Sequence, residues 1–211
     1  MKSRRFSWLA ALAFMALIPA LALDQDATEP VGLAVGDTAP MTSIKMKGVD
    51  GREVSIADVT GKKGTLVIFS CNACPWAKAW EKRIVDIGNA YPKRGIGVIV
   101  INSNDPGRVA EDDYANMQQR AKQRGMRYPY VVDATSDLAR AFGATRTPEA
   151  FVFDATGKLV YHGTIDDNAK EPEKVKERYL QDALKAVLAG QAVALKETKA
   201  LGCGIKFRPK A

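Results

Sequence analysis

The spacing of hydrophobic and polar positions in this chain changes several times, and each change marks an element. Thr65–Phe69 is a run of β-branched and apolar residues bounded by Gly64 and, one residue on, by a cysteine. Such a run predicts a short strand buried on both faces. Beyond the cysteines the period lengthens: Trp76, Trp80, Ile84, Ile87 and Tyr91 recur three or four apart, one face of a helix that Pro92 and Gly95 end. Gly97–Ile101 is a second apolar run. Strand, helix and strand in that order predict a βαβ crossover and a parallel pair.

The same reading extends in both directions. Asp105–Arg124 is expected to be helical, with Glu111, Asp112 and Asp113 early, Lys122 and Arg124 late, and Gly125 as its cap. Tyr130–Val132 is a strand candidate, and Ser136–Phe142 a short helix with Ser136 at its N-cap. Ala150–Phe153 and Leu159–Tyr161 flank the turn Asp154–Gly157, which predicts an antiparallel hairpin. A last helix is expected over Glu173–Ala189, opened by Pro172 and stopped by Gly190. Upstream, Ile44–Met46 and Glu53–Ile56 flank Val49-Asp-Gly51 as a further hairpin. The sum is an α/β fold, a mixed central sheet flanked by helices, with an added N-terminal hairpin.

The first residues follow a different rule. Lys2, Arg4 and Arg5 precede the apolar run Phe6–Leu23, and Ala20-Leu-Ala22 places small residues where a signal peptidase reads them. Residues 1–22 are therefore expected to be a signal peptide, with an uncleaved anchor as the alternative. Residues 23–40 read as a linker and lead-in segment, 41–192 as the folded domain, and 193–211 as a C-terminal tail packing on it. The localisation implied is periplasmic or otherwise exported, with no stable membrane span after cleavage. The formal charge of +7 includes three basic residues of the leader, and the other Lys and Arg are scattered among acids. No concentrated basic face marks a nucleic-acid partner.

Candidate chemistry lies in three cysteines. Cys71 and Cys74 are separated by two residues and fall at the junction of the buried strand and the helix. A helix N-terminus favours thiolate over thiol, and this spacing lets a second sulfur resolve a mixed disulfide. Pro75 is tolerated in a first helical turn. An odd number of cysteines leaves at least one outside any internal pair. Cys203, between Gly202 and Gly204, either folds back to exchange with the pair or is an incidental thiol.

Cys71-Asn-Ala-Cys-Pro75, Thr147-Pro-Glu149, Tyr161–Asn168 and Leu201-Gly-Cys-Gly-Ile-Lys-Phe207, in this order, resemble the thioredoxin superfamily. More closely, they resemble its peroxiredoxin-like branch, the alkyl hydroperoxide reductase and thiol-specific antioxidant (redoxin) group. The resemblance implies a thioredoxin-like fold and a cis peptide bond at Pro148. It also implies that the backbone at Thr147 and Pro148 holds an incoming peptide. Aligned on Cys74, the peroxiredoxin pattern Pro-x-x-x-Thr-x-x-Cys meets Val67 and Cys71 instead of Pro and Thr. That departure favours thiol–disulfide exchange through a redox-active Cys71–Cys74 disulfide, with Cys71 attacking and Cys74 resolving. Thiol peroxidase activity is the alternative, and a copper-binding chaperone a lesser one. No cofactor and no metal site is expected. The partners implied are protein thiols or disulfides and an upstream thiol donor.

The remaining polar candidates are weighed against plainer roles. Glu149 is a candidate proton acceptor during exchange or a solvent-facing residue. His162, the single histidine, reads as structural. Asp166, Asp167 and Asn168 read as a turn. Trp76 and Trp80 read as core, with Trp76 also placed to line a partner groove, and Lys78 as a solvated residue.

Overall fold

A computed structural model describes residues 32–210, so the expected signal peptide lies outside the described residues. The elements in chain order are β1 (Met46–Gly48), β2 (Glu53–Val54), α1 (Ile56–Val59), β3 (Gly64–Phe69), α2 (Pro75–Ala90), β4 (Ile96–Asn102), α3 (Tyr114–Arg124), β5 (Tyr130–Val132), α4 (Asp137–Phe142), β6 (Arg146–Thr147), β7 (Glu149–Asp154), β8 (Leu159–Gly163), α5 (Tyr179–Ala189) and β9 (Cys203–Gly204). Seven strands form one sheet in the order β2-β1-β5-β4-β3-β7-β8, and β6 pairs with β9 in a separate two-stranded ribbon.

The centre of the sheet follows from its sequence. Every residue of β3 and β4 is buried, and the two strands run parallel with Leu66 opposite Val98. On the other side β3 pairs antiparallel with β7, with Phe69 opposite Glu149. Side chains of a strand alternate between faces, so β3 feeds two cores. Leu66 and Ile68 pack with Trp80 and Ile84 of α2, Met117 of α3 and Leu184 of α5. Val67 and Phe69 pack with Leu138 and Phe142 of α4 and with Phe151. The rings of Phe69, Phe142 and Phe151 meet edge to face at centroid distances of 5.3–5.7 Å. Each such ring removed from water contributes about 1.5–3 kcal/mol.

Close backbone approach sets one position in β4. A Cβ on Gly97 would lie 1.7 Å from the carbonyl oxygen of Val59. Gly97→Ala is expected to lower stability by about 1–3 kcal/mol through overpacking, read as an earlier urea midpoint. An unchanged midpoint would show that α1 moves aside freely.

Several boundaries differ from those expected. The first strand runs over Met46–Gly48 instead of Ile44–Met46, and Ile56 opens α1 behind a Ser55–Asp58 capping box. The helix expected from Asp105 begins at Tyr114, with Asp113 as its N-cap accepting from the Asn116 amide. Before it, residues 105–108 form a turn around Pro106-Gly107, then a short 3-10 helix spans Ala110–Asp112. Ser136 does stand at the N-cap of α4, but its backbone is left-handed at φ 61° and its side chain makes no cap bond. Its hydroxyl donates to the Ser103 carbonyl, and Asp133 accepts from the Ala139 amide instead. Pro172 opens a 3-10 turn, and α5 starts only at Tyr179. The described part of the 23–40 segment is bonded to the fold, through Leu33 to Phe142 and Gly36 to Leu159.

Candidate active site

β3 delivers the cysteines and α2 receives them. The ladder continues one residue past the strand, with the Ser70 amide donating to Ile101. Cys71 then leaves the sheet, Cys74 stands at the N-cap of α2, and Pro75 takes the first helical position. The Lys78 amide closes the first turn on the Cys74 carbonyl at 2.9 Å. All three cysteines are thiols; Cys71 and Cys74 are buried and Cys203 is half-buried. Together with Ala77 the three sulfur residues form one packed cluster.

The Thr147–Pro148 peptide bond is cis, and Thr147 meets both sulfurs of the pair. Its hydroxyl lies 3.3 Å from Cys71 Sγ. Its carbonyl oxygen lies 3.0 Å from Cys74 Sγ and accepts the proton of the thiol form. The tail arrives on the same residue. Cys203 and Gly204 run antiparallel to Thr147 and Arg146, and the Cys203 amide donates to Cys74 Sγ at 3.4 Å.

These contacts divide the charge unequally within the pair. The Cys71 thiol hydrogen-bonds Cys74 and lowers its pKa; the thiol and amide of Cys203 add to this against the cost of burial, and the value falls to about 4. Cys71 is pushed the other way, first by giving its hydrogen bond to Cys74, then by burial and by the carboxylate of Asp112. Cys203 is raised to about 11, chiefly by burial and by the neighbouring Cys74. The two sulfurs therefore titrate as one coupled pair, with the surroundings lowering Cys74 and raising Cys71. Alkylation of Cys74 is expected to stay level through neutral pH and to fall only as pH drops through about 4, whereas an ordinary thiol fades below about 8.5. A rate that still climbs steeply between neutral and alkaline pH would contradict this.

The turn between the cysteines is held by a residue that periodicity assigned to a helix. Asp112 is buried, and its Oδ1 accepts from the Asn72 amide at 2.6 Å and from Asn102 Nδ2 at 3.1 Å. Its Oδ2 accepts from Asn104 Nδ2 at 2.8 Å. Asn72 in turn donates through Nδ2 to the Glu111 carbonyl and accepts from the Tyr130 hydroxyl. Asn102, Asn104 and Tyr130 carry no local motif, so sequence reading missed them. A polar end to an otherwise apolar strand, Ile101-Asn-Ser-Asn104, was the available signal.

The other candidates take structural places. Glu149 is 2% exposed. Its Oε2 accepts from the amides of Thr145 and Arg146, both at 2.8 Å, and its Oε1 lies 2.6 Å from His162 Nε2. The carboxylate thus clamps the loop before Pro148 and is buried instead of facing solvent. His162 stacks on Phe151 at 4.3 Å. Asp166 is buried and ion-paired with Arg83 at 2.5 Å, a stronger role than a turn residue. Trp80 is fully buried, but Trp76 is 36% exposed and rests on Trp80 beside the cysteines, so only Trp80 is core. Lys78 pairs with Glu111 at 2.9 Å on the surface, a contact worth little. Among the described residues, no group of three or more His, Cys, Asp or Glu side chains is placed to hold a metal ion.

Known proteins are similar to this chain in sequence and in fold. The thiol-disulfide oxidoreductase ResA of Geobacillus thermodenitrificans is 27% identical over 156 residues, which span 71% of this chain and 82% of that protein. An uncharacterized conserved protein from Geobacillus kaustophilus superposes with a TM-score of 0.78 at 34% identity, covering 84% of this chain and 94% of its own. A putative thiol:disulfide interchange protein DsbE from Chlorobium tepidum shares the fold, with a TM-score of 0.57 at 20% identity over 74% of this chain and 99% of its own. The architecture is thus the thioredoxin-like one that the motifs implied. The AhpC/TSA family matches residues 35–162, a stretch that holds the cysteine pair, the cis-proline loop, β7 and all of β8 but its last residue. With more than half of its length in that match, the chain belongs to the AhpC/TSA family.

Proposed function

We propose that this protein is a thiol–disulfide oxidoreductase that exchanges disulfides with protein substrates through Cys71 and Cys74. The observation that carries the reading is the placement of two sulfurs at a strand–helix junction, both against Thr147 of a cis-proline loop. One sulfur of the pair attacks the substrate disulfide as a thiolate, and the other closes the internal disulfide. No cofactor enters this reading, because the Cys71/Cys74 dithiol carries two electrons and its disulfide accepts them. The related ResA proteins support the same chemistry. We assign the protein to an exported space from its basic, apolar and small-residue N-terminal sequence. No helix among the described residues is long and apolar enough to cross a membrane. Reduction of a protein disulfide such as that of insulin, with dithiothreitol as donor, tests the reading. Cys74→Ser is expected to bring turnover down to the uncatalysed background, and unchanged turnover would sink the proposal.

One observation favours a second reading. Cys74 aligns with the peroxide-attacking cysteine of the family pattern, and its surroundings lower its pKa. A thiol peroxidase would consume hydrogen peroxide with a thiol donor and lose that activity in Cys74→Ser. Peroxide left unconsumed with every thiol donor removes this reading.

A further inference from the structure

Cys71 and Cys74 are buried, at 7% and 3% exposure, while Cys203 beside them is half-buried. A redox pair that must meet other proteins is thus covered by a strand of its own chain. That strand lies in register. Thr147 faces Cys203 and Arg146 faces Gly204, and the Ile205 amide continues the ladder to the Thr145 carbonyl. The Lys206 amide donates to Asn104 Oδ1 at 2.8 Å, and the Asp105 amide donates to the Lys206 carbonyl at 2.7 Å. Ile205 is buried in the core beneath. The approach also requires its glycine: a Cβ on Gly202 would stand 2.2 Å from the Thr147 carbonyl oxygen. Cys203 is therefore fixed opposite the loop residue that touches both sulfurs, with its amide on the sulfur of Cys74. The tail lies along the backbone edge that a thioredoxin-like fold offers to an extended peptide.

We propose that Cys203 is a third exchanging sulfur, which forms a disulfide with Cys74 and relays oxidation between the buried pair and external thiols. This rests on the thiol–disulfide reading above and deepens it. In the oxidised chain, the Cys203 thiolate attacks the Cys74 sulfur. The Cys74–Cys203 bond forms, the Cys71–Cys74 bond breaks, and Cys71 leaves as a thiolate that takes up the proton Cys203 released. No net oxidation occurs in that step. An external thiol then attacks the Cys203 sulfur and frees Cys74, and a second external thiol releases the external disulfide and restores the Cys203 thiol. Two electrons and two protons have entered the chain, and one external disulfide has left. Run backwards, the same steps reduce a substrate disulfide.

Oxidised glutathione is the probe, with acid quenching, alkylation of free thiols and peptide mapping by mass spectrometry. In Cys71→Ser/Cys74→Ser the glutathione adduct on Cys203 has no neighbouring thiol to displace it and is expected to persist. In Cys71→Ser the adduct is expected to fall at least about tenfold, replaced by a Cys74–Cys203 disulfide, because a tethered thiol acts at millimolar effective concentration. A Cys71→Ser chain that keeps its adduct at the level of the double variant overturns the relay, as does a Cys203 that takes no glutathione. The unsubstituted protein gives an independent reading if either variant folds poorly. During its stepwise reduction a Cys74–Cys203 disulfide is expected alongside Cys71–Cys74, and its absence at every stage overturns the proposal. Cys203→Ser separates the two ideas: failure of this variant to form a Cys71–Cys74 disulfide counts against the oxidoreductase reading itself.

Discussion

Asp166→Ala is expected to lower the free energy of unfolding by about 3–5 kcal/mol, the usual loss when one partner of a buried ion pair is removed. Asp166 is 3% exposed. Its Oδ2 lies 2.5 Å from Arg83, and its Oδ1 accepts from Trp80 Nε1 at 2.7 Å and from the Asn168 amide at 3.1 Å. Without the carboxylate, the Arg83 guanidinium keeps only carbonyl partners, at Ala79, Asn168 and Ala169, while remaining largely buried. The indole N–H of a fully buried tryptophan is orphaned as well. Asp166→Asn should fall between, since an amide oxygen still accepts from Trp80 but carries no charge. Urea unfolding at constant m-value checks both. A loss under about 1 kcal/mol for Asp166→Ala, typical of a surface pair, would show that solvent reaches Arg83. Trp80 and Arg83 stand on α2, so this pair also anchors the helix whose N-terminus holds Cys74.

The second large effect is expected at Asp112. Asp112→Ala leaves the Asn72 amide and the side-chain amides of Asn102 and Asn104 without their shared acceptor. A buried donor left unsatisfied costs about 1–3 kcal/mol, so a total near 3 kcal/mol is expected, with loss of the fixed turn between the cysteines. Disulfide exchange should fall further than the folded fraction does, which a parallel measurement of circular dichroism and turnover separates. Asp112→Asn removes the charge at constant shape. Cys71 is held high first by its bond to Cys74 and by burial, and then by this carboxylate. Its titration is therefore expected to move down in the Asn variant, followed by thiolate absorbance. A Cys71 step that stays in place would mean that Asp112 acts only as a hydrogen-bond acceptor.

Local motifs were the legible part of this chain. Leu66–Phe69 and Gly97–Ile101 carry no charged or polar side chain because both faces of a central strand are covered. Cys71, Cys74 and Thr147-Pro148 were readable because their chemistry needs fixed spacing along the sequence. The failures have one cause, a polar residue whose partner lies far away. Asp112 and Asp113 looked alike beside a helix dipole, yet one caps α3 and the other turns inward to Asn72. Ser136 looked like a cap but bonds to Ser103 and receives the Arg208 amide from the tail. Val175, four residues before Tyr179, extended the apolar stripe of the last helix upstream, but the backbone there is committed elsewhere, as in the bond from Asp167 to the Glu177 carbonyl. The lowered pKa of Cys74 belongs there in part: its largest cause is the nearby Cys71, but Cys203 adds to it only through the folded tail.

The position of β3 in the middle of the sheet has a consequence for how the site is assembled. Its partner β4 follows after a single helix, but β7 is made only after everything from Pro75 to Pro148, and the strand bearing Cys203 comes later still. Contacts of this separation close slowly, because the intervening loop must be ordered first. A chain emerging from its N-terminal side therefore exposes Cys71 and Cys74 well before Thr147 and the tail can cover them. During that interval the thiols are open to whatever oxidant or thiol surrounds the growing chain. The redox state in which the protein first completes its fold is thus set by its surroundings during synthesis or export, and only afterwards by its own residues.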